Sequence, residues 1–272
     1  MTGQQLRHAL KSGRRVYGSC ILSTSPLWPA AVRSTGVDFV FIDTEHSPND
    51  RAIVSWMCQQ YRSMDIAPMV RIPSPDPFEA CKMLDGGAAA VLAPYIESPE
   101  QVRQLVGAVK LRPLKGGRMQ RALVDPSSLE PELARYLEDR NSGNSLLINI
   151  ESVPALQILD DIVSVPGVDA VQVGPHDLSC SLGVPEQYHH PKFEAAIEHI
   201  ITTSRRHGVG VGIHEFWDDL DQAIRWGKMG ANLIMHSVDQ TLFSRTLRDR
   251  LNHFRTAFAD EPARDGGPEA VI

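Results

Sequence analysis

Apolar positions along this chain gather into short, β-branched runs, each followed by a stretch in which hydrophobic residues recur at helical spacing. Eight runs stand out: 16–22 "VYGSCIL", 37–43 "VDFVFID", 66–72 "IAPMVRI", 88–94 "AAAVLAP", 145–151 "SLLINIE", 168–174 "VDAVQVG", 208–213 "GVGVGI" and 231–236 "ANLIMH". Strand runs alternating with helical segments predict βαβ units and a parallel sheet. Eight such units are what closes a (β/α)8 TIM barrel.

Several runs are entered by one device, a helix end, a Gly and then the strand: "STGVDFVFI", "DGGAAAVLA", "VPGVDAVQV", "RHGVGVGI" and "KMGANLIM". Gly suits the left-handed position that ends a helix before a short turn. Its repetition predicts α-to-β connections within a single domain over 1–258. The interval between the fourth and fifth runs is long; "ELARYLEDRN" within it predicts an inserted helix, and "KGGRMQ" reads as a loop. "DQTLFSRTLRDRLNHFRTAF" predicts helix that closes the domain, and 259–272 reads as a mobile tail with little to bury.

The chain has 272 residues, 42% hydrophobic and 22% charged, which is enough for one large domain with a substantial core or for two small ones. A net charge of -6 without any Lys/Arg cluster argues against nucleic acid or an anionic membrane as partner. A small-molecule substrate is expected instead. "MTGQQLRHALKSGRR" lacks an apolar stretch of signal-peptide length and no run is long enough to span a bilayer, so a cytoplasmic protein is expected. Cys20, Cys58, Cys81 and Cys180 show no paired spacing and read as reduced, mostly buried thiols.

In such a barrel the chemistry lies at the carboxyl ends of the strands. The second run ends in Asp43, Glu45 and His46, the third in Arg71, the fifth in Glu151, and the sixth in "GPHDLS" with Asp177. The seventh and eighth add His214, Glu215, His236 and Asp239. Taken singly, Asp43, Glu45 and Asp177 read better as helix caps or first-turn carboxylates than as catalytic groups. Arg71 could simply pair with a buried acid. Glu151 is harder to set aside, because an unpaired carboxylate after "LLINI" is costly. A metal or another cation should meet it.

None of the six lysines, at 11, 82, 110, 115, 192 and 228, ends a strand, so a Schiff-base lysine is not expected. Glu151 and Asp177 are hard oxygen ligands suited to Mg²⁺ or Mn²⁺. A divalent ion could hold a 2-oxo acid and stabilise its enolate, with Arg71 as charged donor and His46, oriented by Asp43, moving the proton. His189, His190, His199 and His207 read as surface residues, and Trp28 as either mouth or packing.

The segments "FIDTEHSPND", "VRIPSPDP", "LDGGAAAVLAPYIESPEQV", "LLINIES" and "GVDAVQVGPHDLSCSLGVPEQYHHPKFEAAI" resemble, in order, the signatures of the HpcH/HpaI family of metal-dependent aldolases, over about 16–245. The resemblance implies a modified (β/α)8 barrel of the phosphoenolpyruvate/pyruvate-binding type that joins or separates pyruvate and an aldehyde. It implies a homohexamer, a trimer of dimers, in which the last helix packs on a neighbouring subunit. By position, Glu151 and Asp177 are the metal ligands, for Mg²⁺ or Mn²⁺ with Co²⁺ a further candidate, and Arg71 meets the pyruvate keto oxygen. His46 with Asp43 is the acid/base dyad. The amides after Gly174, at Pro175–His176–Asp177, lie where the pyruvate carboxylate binds, and Asp85 matches an acid reaching a neighbour's site.

Departures accompany the match. Asn149 stands where many relatives have Gln, His176 replaces a small or amide residue, and Met119 replaces Gly beside Arg118. They leave the aldehyde unnamed. Two other functions remain open at this point: the same site using an oxaloacetate-derived enolate for decarboxylation or condensation, and a non-catalytic barrel that binds a small acid.

Overall fold

The computed structural model describes residues 1–261. All eight apolar runs form strands: β1 Val16–Cys20, β2 Phe39–Asp43, β3 Ala67–Arg71, β4 Ala90–Ala93, β5 Ser145–Ile150, β6 Ala170–Val173, β7 Gly210–Glu215 and β8 Leu233–Val238. They pair in parallel in chain order, and β1 closes on β8 with Val16 beside Leu233. Helices between the strands cover the outside, giving the TIM-barrel-like α/β architecture.

Alternation along each strand sorts side chains to two faces. Phe39, Phe41, Ala67, Met69, Ala90, Leu92, Leu147, Leu233 and Met235 fill the barrel interior. Val40, Ile42, Val70, Val91, Leu146, Ile148, Val171, Val211 and Ile213 point outward and pack under the helices. Burial on both faces explains why these strands read as nearly continuous apolar runs. The helix Gly3–Ser12, started by a Thr2–Gln5 capping box, brings Leu6, Ala9 and Leu10 to the interior cluster and seals the amino-terminal end of the barrel. The opposite, carboxyl end stays open.

Three expectations change. "KGGRMQ" is not a loop but the start of the helix Gly116–Val124; Met119 and Leu123 pack against Gly107, and paired glycines at its start hid the pattern. The inserted helix does form, as Pro131–Asn141. The helix Asp239–Phe258 does not close the barrel: Asp239 is its buried residue among those described, while Phe243, Phe254 and Phe258 are exposed. Cys20 and Cys58 are buried, but Cys180 is exposed. The expected tail at 259–272 lies, from 262 onward, outside the described residues.

Candidate active site

The register of β2 on β3 sets Asp43 beside Arg71 at the carboxyl end of the barrel. Asp43 is fully buried, and its two oxygens accept a fork of bonds from Arg71, Nε to Oδ1 at 2.8 Å and Nη2 to Oδ2 at 2.7 Å. It also accepts from the main-chain amides of Glu45, at 3.0 Å, and His46, at 3.3 Å. Burial alone would push the Asp43 carboxyl up, but the Arg71 bonds and charge outweigh it and hold the group below the usual range. Arg71 also pairs through Nη1 with Glu45 Oε2 at 3.1 Å and lies over the Phe41 ring at 5.6 Å. The guanidinium is thus fixed from three sides.

This geometry corrects the expected dyad. Asp43 reaches His46 through the main-chain amide rather than the ring. The imidazole, half exposed, instead has Glu45 Oε1 at 3.8 Å from Nε2. The bland reading of Arg71, as partner of a buried acid, and the reading as a positioned donor are therefore both consistent with one arrangement.

Glu151 sits just beyond β5. Its Oε1 accepts from the Tyr95 amide at 2.6 Å and its Oε2 from the Asn149 side chain. Burial, and then the carboxylates of Asp177 and Glu45, push its pKa up despite those bonds. Gly174, at the end of β6, is required by this packing: a Cβ there would stand 2.8 Å from Glu151 Cβ and 2.9 Å from its Oε2. Gly174 also opens the short helix Pro175–Ser181, which carries His176 and Asp177 in its first turn.

These residues border a cavity of about 430 Å³ at the barrel mouth, lined by Asp43, His46, Arg71, Asn149, Gly174, Pro175, His176 and Asp177 among others. Glu151 lies immediately behind Asn149 and Gly174 and is 9% exposed. Asp85 stands apart, at the end of the helix Pro77–Asp85, where it pairs with Arg112; within one chain it does not line the mouth. His214 lines the cavity, whereas Glu215 and His236 pair with each other at 2.7 Å, and Asp239 accepts the Leu22 and Ser23 amides. His236 and Asp239 border a separate apolar groove beside the last helix.

Sequence reasoning missed several groups in or beside the mouth. Gln172 looked like one more residue of a core strand, yet its side chain lies in the barrel over Gly212 with Oε1 unpartnered. A polar residue inside "AVQVG" was the available signal. Tyr95 takes a positive φ of 55°, which aims its amide at Glu151, and its phenol is pushed up to about 12 by the Glu45 carboxylate beside it. Nothing in "APYIESP" announces that conformation. Thr241 and Arg245 reach the mouth from the last helix.

Among the described residues, no group of three or more His, Cys, Asp and Glu side chains is arranged to hold a metal ion. The local chemistry nevertheless fits a divalent cation held by two carboxylates, with the remaining positions left to water and substrate oxygens. The carboxylates of Asp177 and Glu45 oppose the ionisation of Glu151, and the buried Oδ1 of Asn149 has no hydrogen-bond partner. Positive charge is what relieves both.

The pattern of the HpcH/HpaI aldolase/citrate lyase family matches residues 20–246. The chain is 29% identical to a hydroxypyruvate/pyruvate aldolase of Agrobacterium fabrum, over 96% of this chain and 97% of the relative. It is 32% identical to a 2-keto-3-deoxy-L-rhamnonate aldolase of Escherichia coli, over 92% of each. Among solved structures, citrate synthase SbnG superposes with a TM-score of 0.80 at 27% identity, covering 94% of this chain and 99% of that one.

Proposed function

Because the chain belongs to the HpcH/HpaI aldolase/citrate lyase family, we propose that it is a divalent-metal-dependent aldolase that cleaves a 4-hydroxy-2-oxo acid to pyruvate, or a close 2-oxo acid, and an aldehyde. It is a carbon-carbon lyase, in keeping with relatives named as aldolases. The observation that carries the finer reading is Arg71, braced by Asp43 and Glu45 in a mouth that Asp177 also lines, with the Glu151 carboxylate just behind that lining.

In this reading Glu151 and Asp177 hold Mg²⁺ or Mn²⁺, with Co²⁺ a further candidate. The bound ion supplies Lewis acidity that lowers the cost of removing a proton next to the keto group. Arg71, held by Asp43 and Glu45, donates to the keto oxygen as negative charge develops there. His46, half exposed at the rim, moves the proton, since an imidazole titrates near neutral pH. Asn149 positions Glu151, and the main chain following Gly174, with Pro175 and His176, receives the substrate carboxylate. Asp85 contributes to a neighbour's mouth. No lysine lines the cavity among the described residues.

The reading extends to a homohexamer, a trimer of dimers, located in the cytoplasm. It is supported by the uncovered apolar residues Phe243, Leu247, Leu251 and Phe254 of the last helix, which need a neighbouring subunit to bury them. No helix among the described residues is long and apolar enough to cross a membrane.

The test is proton NMR of pyruvate in deuterated buffer with Mg²⁺ or Mn²⁺ and a chelator control. Ion-dependent loss of the methyl signal is expected; no exchange with either ion would refute a pyruvate nucleophile. A second reading, an oxaloacetate-derived enolate, is favoured by the likeness to citrate synthase SbnG. Oxaloacetate decarboxylation in a protein that exchanges no pyruvate would select it.

A further inference from the structure

His214 projects into the mouth from β7, which lies across the eight-strand ring from β3 and Arg71. On the same face of β7, Gly210 and Gly212 carry no side chain, so His214 is the first group this strand offers to an occupant. Its ring is held edge-on by Phe216, at 5.3 Å between centroids, and by Phe41, at 6.4 Å.

The tautomer follows from one contact. His214 Nε2 lies 3.1 Å from the Ser237 carbonyl oxygen. A carbonyl oxygen only accepts, so Nε2 carries the hydrogen. Burial pushes the ring down to about 4, and the ring is neutral at pH 7. Nδ1 is then a bare lone pair, and no donor among the described residues bonds to it.

We propose that His214 is a specificity-determining acceptor that selects a hydroxylated reaction partner, a reading that rests on the aldolase function above. Aldehyde, keto and carboxylate oxygens only accept and gain nothing from this lone pair. Alkyl groups leave it unpaired. A hydroxyl donates to it, and a site built to bond a hydroxyl discriminates against the analogue that lacks one. The hydroxyl can reside on the carbon next to the aldehyde or on C3 of the 2-oxo acid; the chemistry is shared and the two sources separate experimentally. The cavity has the room: about 430 Å³ is roughly fourteen water volumes at about 30 Å³ each, against six heavy atoms in pyruvate.

The test compares isosteric pairs by kcat/KM in the metal-loaded enzyme. One arm sets glycolaldehyde against propionaldehyde with pyruvate, and the other sets hydroxypyruvate against 2-oxobutanoate with propionaldehyde. The wild-type protein is expected to prefer the hydroxylated member in at least one arm, which identifies the source. His214→Leu should reduce that preference by about tenfold, the size of one hydrogen bond, and His214→Asn, whose Oδ1 accepts, should restore much of it. Where His214→Leu does not fold, His214→Phe keeps the ring packing without the acceptor and is read in the same way. An unchanged preference in both arms overturns the inference. Pyruvate exchange without any hydroxyl preference defeats the inference alone, whereas absence of both exchange and turnover defeats the aldolase reading with it.

Discussion

Asp43→Ala is the perturbation whose cost follows most directly from the geometry. Asp43 is fully buried and supplies two of the short contacts that neutralise Arg71. Removing one partner of a buried pair costs about 3–5 kcal/mol, because the other charge stays buried. Here Glu45 remains 3.1 Å from Arg71, and the guanidinium faces an open mouth, so the cost falls to or below the low end of that range, about 2–3 kcal/mol. For a chain of this size that corresponds to a fall in Tm of roughly 4–10 °C. With its guanidinium released, kcat/KM should drop by about a hundredfold or more.

The pH dependence of the same variant has a fixed sign. A carboxyl held below its ordinary value contributes stability above the unfolded pKa of about 3.9 and loses it as pH falls through the lower folded value. The Tm gap between wild type and Asp43→Ala should therefore be full at pH 7 and close in acid. Thermal melts followed by circular dichroism across pH 3–8 measure it. The double variant Asp43→Ala/Arg71→Met should recover part of the lost stability, since neither charge remains buried alone. Equal melting of wild type and Asp43→Ala at pH 7 would refute the claim that this pair is a structural brace.

Three other outcomes follow from the same site. Mn²⁺ at about a hundred times its Kd should stabilise the wild-type protein by about 2.7 kcal/mol, and Glu151→Gln should lose most of that shift along with activity; an equal shift in both would remove Glu151 from the ligand set. Gly174→Ala drives a Cβ to 2.8 Å from that of Glu151, so activity should collapse with only a modest fall in Tm, and a fully active variant would mean the strand end yields freely. Pyruvate binding, read by calorimetry, should be strong with the ion and weak in chelator, and equal binding in both would sever carboxylate recognition from the metal.

The sequence made the frame readable and the pairings unreadable, for physical reasons. Strands buried on both faces leave long apolar runs, and the glycines before them mark where helices end, so each of the eight strands could be placed. Glu151 was conspicuous because a carboxylate after "LLINI" has few cheap destinations. The Asp43–Arg71 fork was not legible, since it depends on the register of β2 on β3, which no local pattern encodes. Gln172 passed for a core residue because one amide in an apolar strand leaves the period intact. The last helix carries an ordinary amphipathic pattern, and its pattern says that something covers it without saying which chain does so.

On the proposed reading, the charges of the mouth give a cation and a fixed arginine complementary tasks. Arg71 is already engaged by Asp43 and Glu45, while Glu151 has the Asp177 and Glu45 carboxylates for neighbours. A 2-oxo acid is itself an anion, and in a site of low effective dielectric it would meet net repulsion from that set. Satisfying Arg71 with two carboxylates removes it as a general anion trap and leaves it a directional donor. On the proposed reading, attraction for the substrate beyond that of Arg245, which lines the mouth from the last helix, comes from the Glu151–Asp177 side, where the Asp177 and Glu45 carboxylates oppose the ionisation of Glu151. A divalent ion held by Glu151 and Asp177 would reverse the sign of that corner while leaving Arg71 in place. On this reading the carboxylate corner and the braced guanidinium divide the charge of one barrel mouth, with His214 across the ring from Arg71.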